Sequence, residues 1–262
     1  MRTKIEGLLL NKTDFQERHL ICSLLLRTGK KVSVLFYGGQ GGGKKKKPSQ
    51  LDLGSMLEIE LSVSKSSSEV YRAKEWKPIW RAEKIRTDHR AFTAVCLICE
   101  IAGKIVGEED LHQKDLTDEH EGIFRVVSNA LFYIEKAVDS GNFNMHKELT
   151  VFLGKLLGEQ GVFPQRENCC LCDLELTAQN ISLLNLEHGG FTCLNCSPAR
   201  GDSAMTRELW YVLGPIGSEK YPELVPLKIE NKGVSRQLMD YFFYQFQMNQ
   251  GSFKSLSMVF QL

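Results

Sequence analysis

The sequence predicts an α+β protein, in which an N-terminal OB-fold β-barrel is followed by an α-helical domain with an inserted four-cysteine metal-binding element. Residues 1–80 contain five short apolar segments separated by turn-forming residues, a pattern typical of the strands of a small barrel. Apolar residues then recur at helical spacing over residues 81–262, which favours helices. Two Cys-x-x-Cys pairs interrupt this pattern within residues 166–198. We therefore predict a barrel domain over 1–80 and a helical domain over 81–262.

Alternation of apolar and polar residues predicts the strands of the barrel. It is clearest over Leu57–Val63, where apolar residues alternate with Glu58, Glu60 and Ser62. The other strands are predicted around Ile5, Gly7 and Leu9, which alternate with polar or outward positions, and over His19–Leu26, Val32–Tyr37 and Val70–Trp76. Five short strands within about 80 residues are typical of a small closed barrel.

The helical domain begins after Pro78. Asp88 is a predicted N-cap, because a short acidic side chain there can accept hydrogen bonds from the first free backbone N–H groups of a helix. The apolar stripe predicted for this first helix consists of Phe92, Val95, Cys96, Cys99 and Ala102. Further helices are predicted from near Thr117, over Met145–Gly161, over Ser203–Leu213 and over Ser235–Met248.

The strongest chemical signal is the pair of motifs Cys169-x-x-Cys172 and Cys193-x-x-Cys196. Two residues between cysteines allow a tight turn to direct both thiolates at one ion, and two such pairs supply the four sulfurs that tetrahedral zinc prefers. We predict one structural zinc ion, since four protein ligands leave no vacant position for a substrate. Cys170 leaves the register of the first ligand open, and His188 is an alternative ligand with a less suitable spacing.

A third pair, Cys96-x-x-Cys99, has the same spacing but a different setting. It lies in an apolar helical run with Phe92 and Val95. We interpret these two cysteines as buried thiols that pack like small apolar side chains.

The segment Gly38–Lys47 contains the spacing G-x-x-x-x-G-K, yet it does not predict a nucleotide-binding P-loop. Lys45 stands where Ser or Thr would hold magnesium, and Pro48 gives no helix start at the phosphate. The remaining interpretation is a flexible loop whose ammonium groups follow a phosphate backbone without reading bases. The predicted DNA-binding residues are Lys44, Lys45, Lys46 and Lys47 of this loop, and Arg27, Lys30 and Lys31 at a neighbouring turn.

The distribution of charge supports this interpretation more than the net charge of +1 does. Residues 1–80 hold 15 Lys and Arg against 8 Asp and Glu, a net charge of +7, whereas the remainder holds 18 against 24, a net charge of −6. A basic barrel attached to an acidic helical body favours nucleic acid as the partner of the barrel. Candidate aromatic residues for stacking on bases are Phe36, Tyr37, Tyr71, Trp76 and Trp80, of which Phe36 fits the barrel core better.

Motifs of catalysis and of membrane insertion are missing from the sequence. The six histidines form no HExxH pair, and there is neither a G-x-S-x-G nor a G-x-G-x-x-G after a strand. This favours binding over catalysis. The longest apolar run, Ala94–Cys99, is far shorter than the about 20 residues of a membrane-spanning helix, and the N-terminus has no signal-peptide pattern. We therefore expect a cytoplasmic protein with reduced thiols.

The order of these features resembles the bacterial RecO family of DNA repair and recombination mediators. The segments that carry the resemblance are Ile5–Leu10 with Asp14–Glu17, Leu24–Leu26, Gly29-Lys30 and Val32–Val34, the basic loop Gly38–Lys47, Leu156–Gly158 through Pro164 before the first cysteine pair, and the closing segment Phe253–Phe260. The resemblance covers essentially the whole chain.

The resemblance implies a non-enzymatic protein of the RecFOR pathway, associated with the nucleoid. It implies binding of single- and double-stranded DNA without sequence preference, annealing of complementary strands and help in loading RecA. It also implies RecR and the acidic C-terminal tail of the single-strand DNA-binding protein as partners. Two alternatives stay open at this stage: a zinc-bearing DNA-processing enzyme that uses the same barrel, and a structural adaptor for protein complexes.

Overall fold

The computed structural model describes residues 3–42, 47–48, 51–62, 70–108, 121–198 and 203–260. The chain forms two compact units, Met1–Asp139 and Ser140–Leu262. The first unit holds the barrel and two helices, and the second holds the four-cysteine element and the remaining helices. The predicted boundary between the barrel domain and the helical domain at residue 80 stays a prediction, as does the predicted metal-binding insertion over residues 166–198.

Seven strands lie in the described part of the first unit. They are β1 (Thr3–Phe15), β2 (His19–Leu26), β3 (Lys31–Phe36), the short β4 (Gly41–Gly42) and β5 (Lys47–Pro48), β6 (Met56–Ser62) and β7 (Val70–Trp80). Five of them close a barrel in the order β1-β2-β3-β7-β6. The β3–β7 pair is parallel, and the other pairs are antiparallel. The predicted α+β class with an N-terminal five-stranded barrel is confirmed.

The interior of the barrel is filled by residues at alternate strand positions, as the sequence predicts. Val32, Val34 and Phe36 of β3 and Leu57 and Ile59 of β6 all belong to this apolar core. Strand β1 also buries its outward residues Leu8 and Leu10. Helix α1 (His89–Ile105) packs on this strand, so β1 buries apolar side chains on both faces.

Helix α1 begins where the sequence predicts. The carboxylate of Asp88 accepts hydrogen bonds from the backbone N–H groups of Arg90, at 2.8 Å, and Ala91, at 3.1 Å, which confirms the N-cap. The predicted apolar stripe is partly wrong: Cys99 is buried, whereas Phe92 is 40% exposed and Cys96 is half-buried. The helix is instead buried on most of its circumference.

The next helix of the first unit, α2 (Glu121–Asp139), carries the apolar stripe that its spacing predicts. Ile123, Val127 and Leu131 of this stripe are buried. The predicted start near Thr117 lies outside the described residues.

The second unit contains helices α3 (Met145–Glu159), α4 (Ser203–Ser218), α5 (Gly233–Gln245) and α6 (Leu256–Phe260), and strands β8 (Ile181–Asn185) and β9 (Gly190–Cys193). Helices α3, α4 and α5 pack on one another. Gly154 permits the close approach of α4, since a Cβ there would lie 2.5 Å from a methyl carbon of Ile216. Among the described helices, none is long and apolar enough to cross a membrane.

Candidate metal centre and basic surface

The second cysteine pair is carried by a β-hairpin. Strands β8 and β9 pair antiparallel, and Gly189 turns the chain between them with a positive φ of 68°, a conformation that glycine adopts without strain. A Cβ on the next residue, Gly190, would lie 2.8 Å from Cβ of Gln165, so a side chain there would displace the segment that leads to the first cysteine pair. The Gly189-Gly190 pair therefore suits the turn that leads into the strand of Cys193.

The first cysteine pair lies in a tight turn beside this hairpin. The backbone N–H of Asp173 donates to the carbonyl of Cys169 at 2.9 Å, and Asp173 itself has a φ of 61°. The N–H of Cys170 donates to the carbonyl of Phe191 in β9, also at 2.9 Å. This last bond holds the turn against the hairpin and brings the two cysteine pairs together.

The sulfur atoms of Cys169, Cys172, Cys193 and Cys196 all lie within 4.8 Å of one another. Sulfurs bound to a tetrahedral zinc ion at about 2.3 Å would be about 3.8 Å apart, and the Sγ atoms of Cys172 and Cys193 are separated by 3.7 Å. The cluster is therefore of the right size to hold a metal ion. Neither Cys170 nor His188 belongs to it within the described residues, so the geometry favours Cys169 in the first ligand position.

The surroundings of the cluster favour negative charge on Cys169. Burial raises the pKa of this thiol, but hydrogen bonds from the backbone N–H groups of Cys193, Leu171 and Cys172 outweigh it and lower the pKa to about 6. Hydrogen bonds with the sulfurs of Cys172 and Cys193 raise the pKa of Cys196 to about 12, and the negative charge of Cys169 adds to this shift. A cation between the four sulfurs would favour the thiolate form of each of them.

The Cys96–Cys99 pair has the opposite character. Burial raises the pKa of both thiols, which keeps them protonated and makes them poor metal ligands. Both side chains lie on α1, within the packed part of the first unit.

The predicted basic loop is described only at its flanks. Lys44, Lys45 and Lys46 lie outside the described residues. Lys47 lies in β5, and its backbone pairs with Gly42 of β4. The two short strands pair antiparallel and flank residues 43–46 in the sequence.

The three basic residues predicted at the neighbouring turn are engaged within the first unit. Nε of Arg27 donates to the carboxylate of Glu6 at 2.6 Å, and its guanidinium lies 5.6 Å from the centroid of the Phe124 ring.

Nζ of Lys31 donates to the carbonyl of Gly103 near the end of α1 at 2.6 Å. Burial lowers the pKa of Lys31, and the charge of Glu108 opposes this shift. Lys30 is half-buried. Contact of these residues with DNA stays a prediction.

The outer face of β6 and β7 carries ion pairs that a count of basic residues does not reveal. Glu58 lies between two ammonium groups, at 3.6 Å from Lys4 and 3.1 Å from Lys77. Glu60 lies 3.4 Å from Lys74. Glu58 and Glu60 occupy alternate positions of β6, and this spacing in the sequence indicates that both carboxylates lie on the outer face, where they offset nearby lysines.

Only some of the candidate aromatic residues are accessible. Phe36 is fully buried, as predicted, and the ring of Trp76 packs edge-on against it at 5.1 Å. Tyr71 and Trp80 are half-buried. Tyr37 is the most exposed of the set, at 48%.

Comparison with known proteins agrees with this architecture. The family model "Recombination protein O C terminal" matches residues 86–212. The DNA repair protein RecO of Desulforamulus reducens is 25% identical to this chain over 254 residues, which cover 91% of this chain and 89% of that protein.

Proposed function

We propose that this chain is a RecO-type, non-enzymatic recombination mediator that binds DNA through its barrel, because residues 86–212 match the RecO C-terminal family model and most of the chain is similar to a DNA repair protein RecO. It binds single- and double-stranded DNA without sequence preference, anneals complementary strands and helps to load the recombinase onto single-stranded DNA. RecR and the acidic tail of the single-strand DNA-binding protein are its proposed partners, at the bacterial nucleoid in the cytoplasm.

The observation that carries this proposal is the distribution of charge. The barrel segment has a net charge of +7, while cations on the β6–β7 face are paired with Glu58 and Glu60. The excess positive charge is therefore concentrated elsewhere, above all in the four consecutive lysines 44–47. Annealing needs no catalytic residue, since a basic surface that contacts two phosphate backbones reduces their repulsion and allows bases to pair.

We also propose that the four clustered cysteines hold one zinc ion with a structural role. Four sulfur ligands complete a tetrahedral shell and leave no position for a metal-bound water. Such an ion crosslinks the turn that carries Cys169 and Cys172 to the hairpin that carries Cys193.

Replacement of Lys44, Lys45, Lys46 and Lys47 with alanine tests the basic loop. We expect weaker binding of single-stranded DNA and a log–log salt dependence that is flatter by about 3, since each phosphate contact on a single strand contributes about 0.7 to the slope. Fluorescence anisotropy of a labelled oligonucleotide at several salt concentrations measures both quantities.

A matched control removes the same charge from the second unit. Lys220, Lys228, Lys232 and Lys254 are all exposed there, and their joint replacement with alanine should leave the salt slope unchanged. If both variants reduce the slope equally, the loop has no special role, and net charge explains the binding.

An annealing assay separates the proposed function from its alternatives. The pure protein, without nucleotide or added metal, should accelerate the pairing of two complementary strands. A zinc-bearing DNA-processing enzyme would instead shorten or modify the strands, and a structural adaptor would leave the rate unchanged.

A further inference from the structure

Tyr37 lies in the loop between β3 and β4, beside the β1–β2 hairpin. It follows β3 directly, and its ring packs edge-on against the ring of His19, with centroids 4.8 Å apart and an interplanar angle of 73°. The backbone N–H of Gly38 donates to Nδ1 of the same histidine at 3.0 Å. The position of the tyrosine ring is therefore set by packing and by a hydrogen bond on the adjacent residue.

A second set of bonds fixes the loop that follows. The side-chain amide of Gln40 donates to the carboxylate of Asp14 at 2.7 Å, and Gly41 N–H donates to the carbonyl of Gly38 at 3.1 Å. These bonds attach the start of β4 to the tip of the β1–β2 hairpin. Tyr37 is thus separated by one short turn from β4, which precedes the four lysines in the sequence.

The side chains around Tyr37 suit a nucleic acid. Phe15, which pairs with His19 across β1 and β2, is 37% exposed, and Tyr37 is 48% exposed. The same hairpin tip carries the exposed Arg18 and the exposed carboxylates of Asp14 and Glu17, so its aromatic faces and not its charge suit a nucleic acid. Proteins bind single strands with exposed aromatic faces because the bases stack on the rings.

We propose that Tyr37, positioned by His19, stacks on a nucleobase of single-stranded DNA. The inference rests on the proposed DNA binding of the barrel and adds a base contact to it. Lysines that contact phosphates do not distinguish paired from unpaired strands, whereas the faces of bases inside a duplex are already covered by their neighbours. The tyrosine would therefore give this surface a preference for unpaired DNA.

The test compares wild type and Tyr37→Leu on three probes of equal length: a thymine oligonucleotide, its abasic counterpart and a duplex. Tyr37→Leu should weaken binding to the thymine strand about 5-fold or more. Binding of the abasic strand and of the duplex should stay unchanged, as should the salt slope, because the phosphate contacts remain. Tyr37→Phe keeps an aromatic ring and should bind as wild type does.

Tyr211→Leu is the matched control, since Tyr211 in α4 of the second unit is 56% exposed and its replacement should change none of the affinities. An equal loss on the thymine and abasic strands, or no loss on either, would overturn the inference. Circular dichroism of Tyr37→Leu establishes that the variant is folded. If wild type binds none of the three probes, the proposed function itself fails. If wild type binds but Tyr37→Leu behaves like it, the base contact alone fails.

Discussion

At the scale of single residues, the adjacent cysteines 169 and 170 have different environments. Sγ of Cys169 accepts a hydrogen bond from the backbone N–H of Cys193 at 3.3 Å and lies in the four-sulfur cluster. Cys170 is half-buried outside the cluster, and its thiol has a raised pKa because of burial and the negative charge on Cys169. The hydrogen bond of its backbone to Phe191 fixes which of the two side chains faces the other sulfurs.

Two serine variants test this assignment. Cys169→Ser should reduce the bound zinc from about one ion per chain to none, because a serine hydroxyl does not replace a thiolate ligand. Cys170→Ser, its matched control, should keep the ion. Elemental analysis of protein purified in parallel measures the difference. Loss of zinc from Cys170→Ser alone would contradict the assignment.

At the scale of elements, α3 and α5 are joined by a polar contact at their N-terminal ends. Nδ1 of His146 lies 2.8 Å from Oγ of Ser235. Burial lowers the pKa of His146, and the charge of Lys232 lowers it further. The folded protein therefore disfavours the protonated imidazole at this helix contact.

The contact should weaken in acid. In the unfolded chain His146 binds a proton as the pH falls below about 6.5, whereas in the folded chain it stays neutral to a lower pH. The unfolded state then binds more protons, so the free energy of unfolding decreases as the pH falls through this window. Urea unfolding measured at about pH 7.5 and at about pH 5.5 tests this. The decrease in the free energy of unfolding between the two pH values should be larger for wild type than for His146→Gln.

His89→Gln is the control for this prediction. His89 is exposed at the start of α1, so its replacement should leave the acid-induced loss as in wild type. If His146→Gln loses as much stability as wild type, protonation of His146 does not weaken the helix contact.

At the scale of the whole molecule, the two chemical features lie in different compact units. The basic barrel belongs to Met1–Asp139 and has its own apolar core around Phe36 and Leu57. The four-cysteine cluster belongs to Ser140–Leu262, where α3, α4 and α5 pack together. The metal centre is therefore expected to stabilise the second unit, and the barrel should not depend on it.

Removal of the metal tests this division. A strong zinc chelator should abolish amide-exchange protection in β8, β9 and the turn of Cys169, since structural zinc contributes on the order of 10 kcal/mol to comparable small sites. Protection in the barrel strands should stay unchanged. Hydrogen exchange followed by mass spectrometry reports on both units in one experiment. Simultaneous loss of protection in β2 and β9 would show that the units unfold together.

Local patterns in the sequence were sufficient for the strands of the barrel, the N-cap at Asp88 and the grouping of the four cysteines. Each of these depends on residues that are close in sequence: a period of two, a side chain beside the first helical N–H groups, or two ligands separated by a tight turn. Their physical cause is local, so they can be recognised without knowledge of the fold.

Tertiary contacts decided which of the candidate residues are available. Lys31 donates to a carbonyl 72 positions away, Leu8 and Leu10 lie on a strand that α1 covers, and Trp76 packs against Phe36 while Tyr37 stays exposed. Periodicity assigns a residue to a face of its own element, but the partner that covers that face comes from a distant part of the chain. Burial, pairing and accessibility therefore follow from the packing of elements.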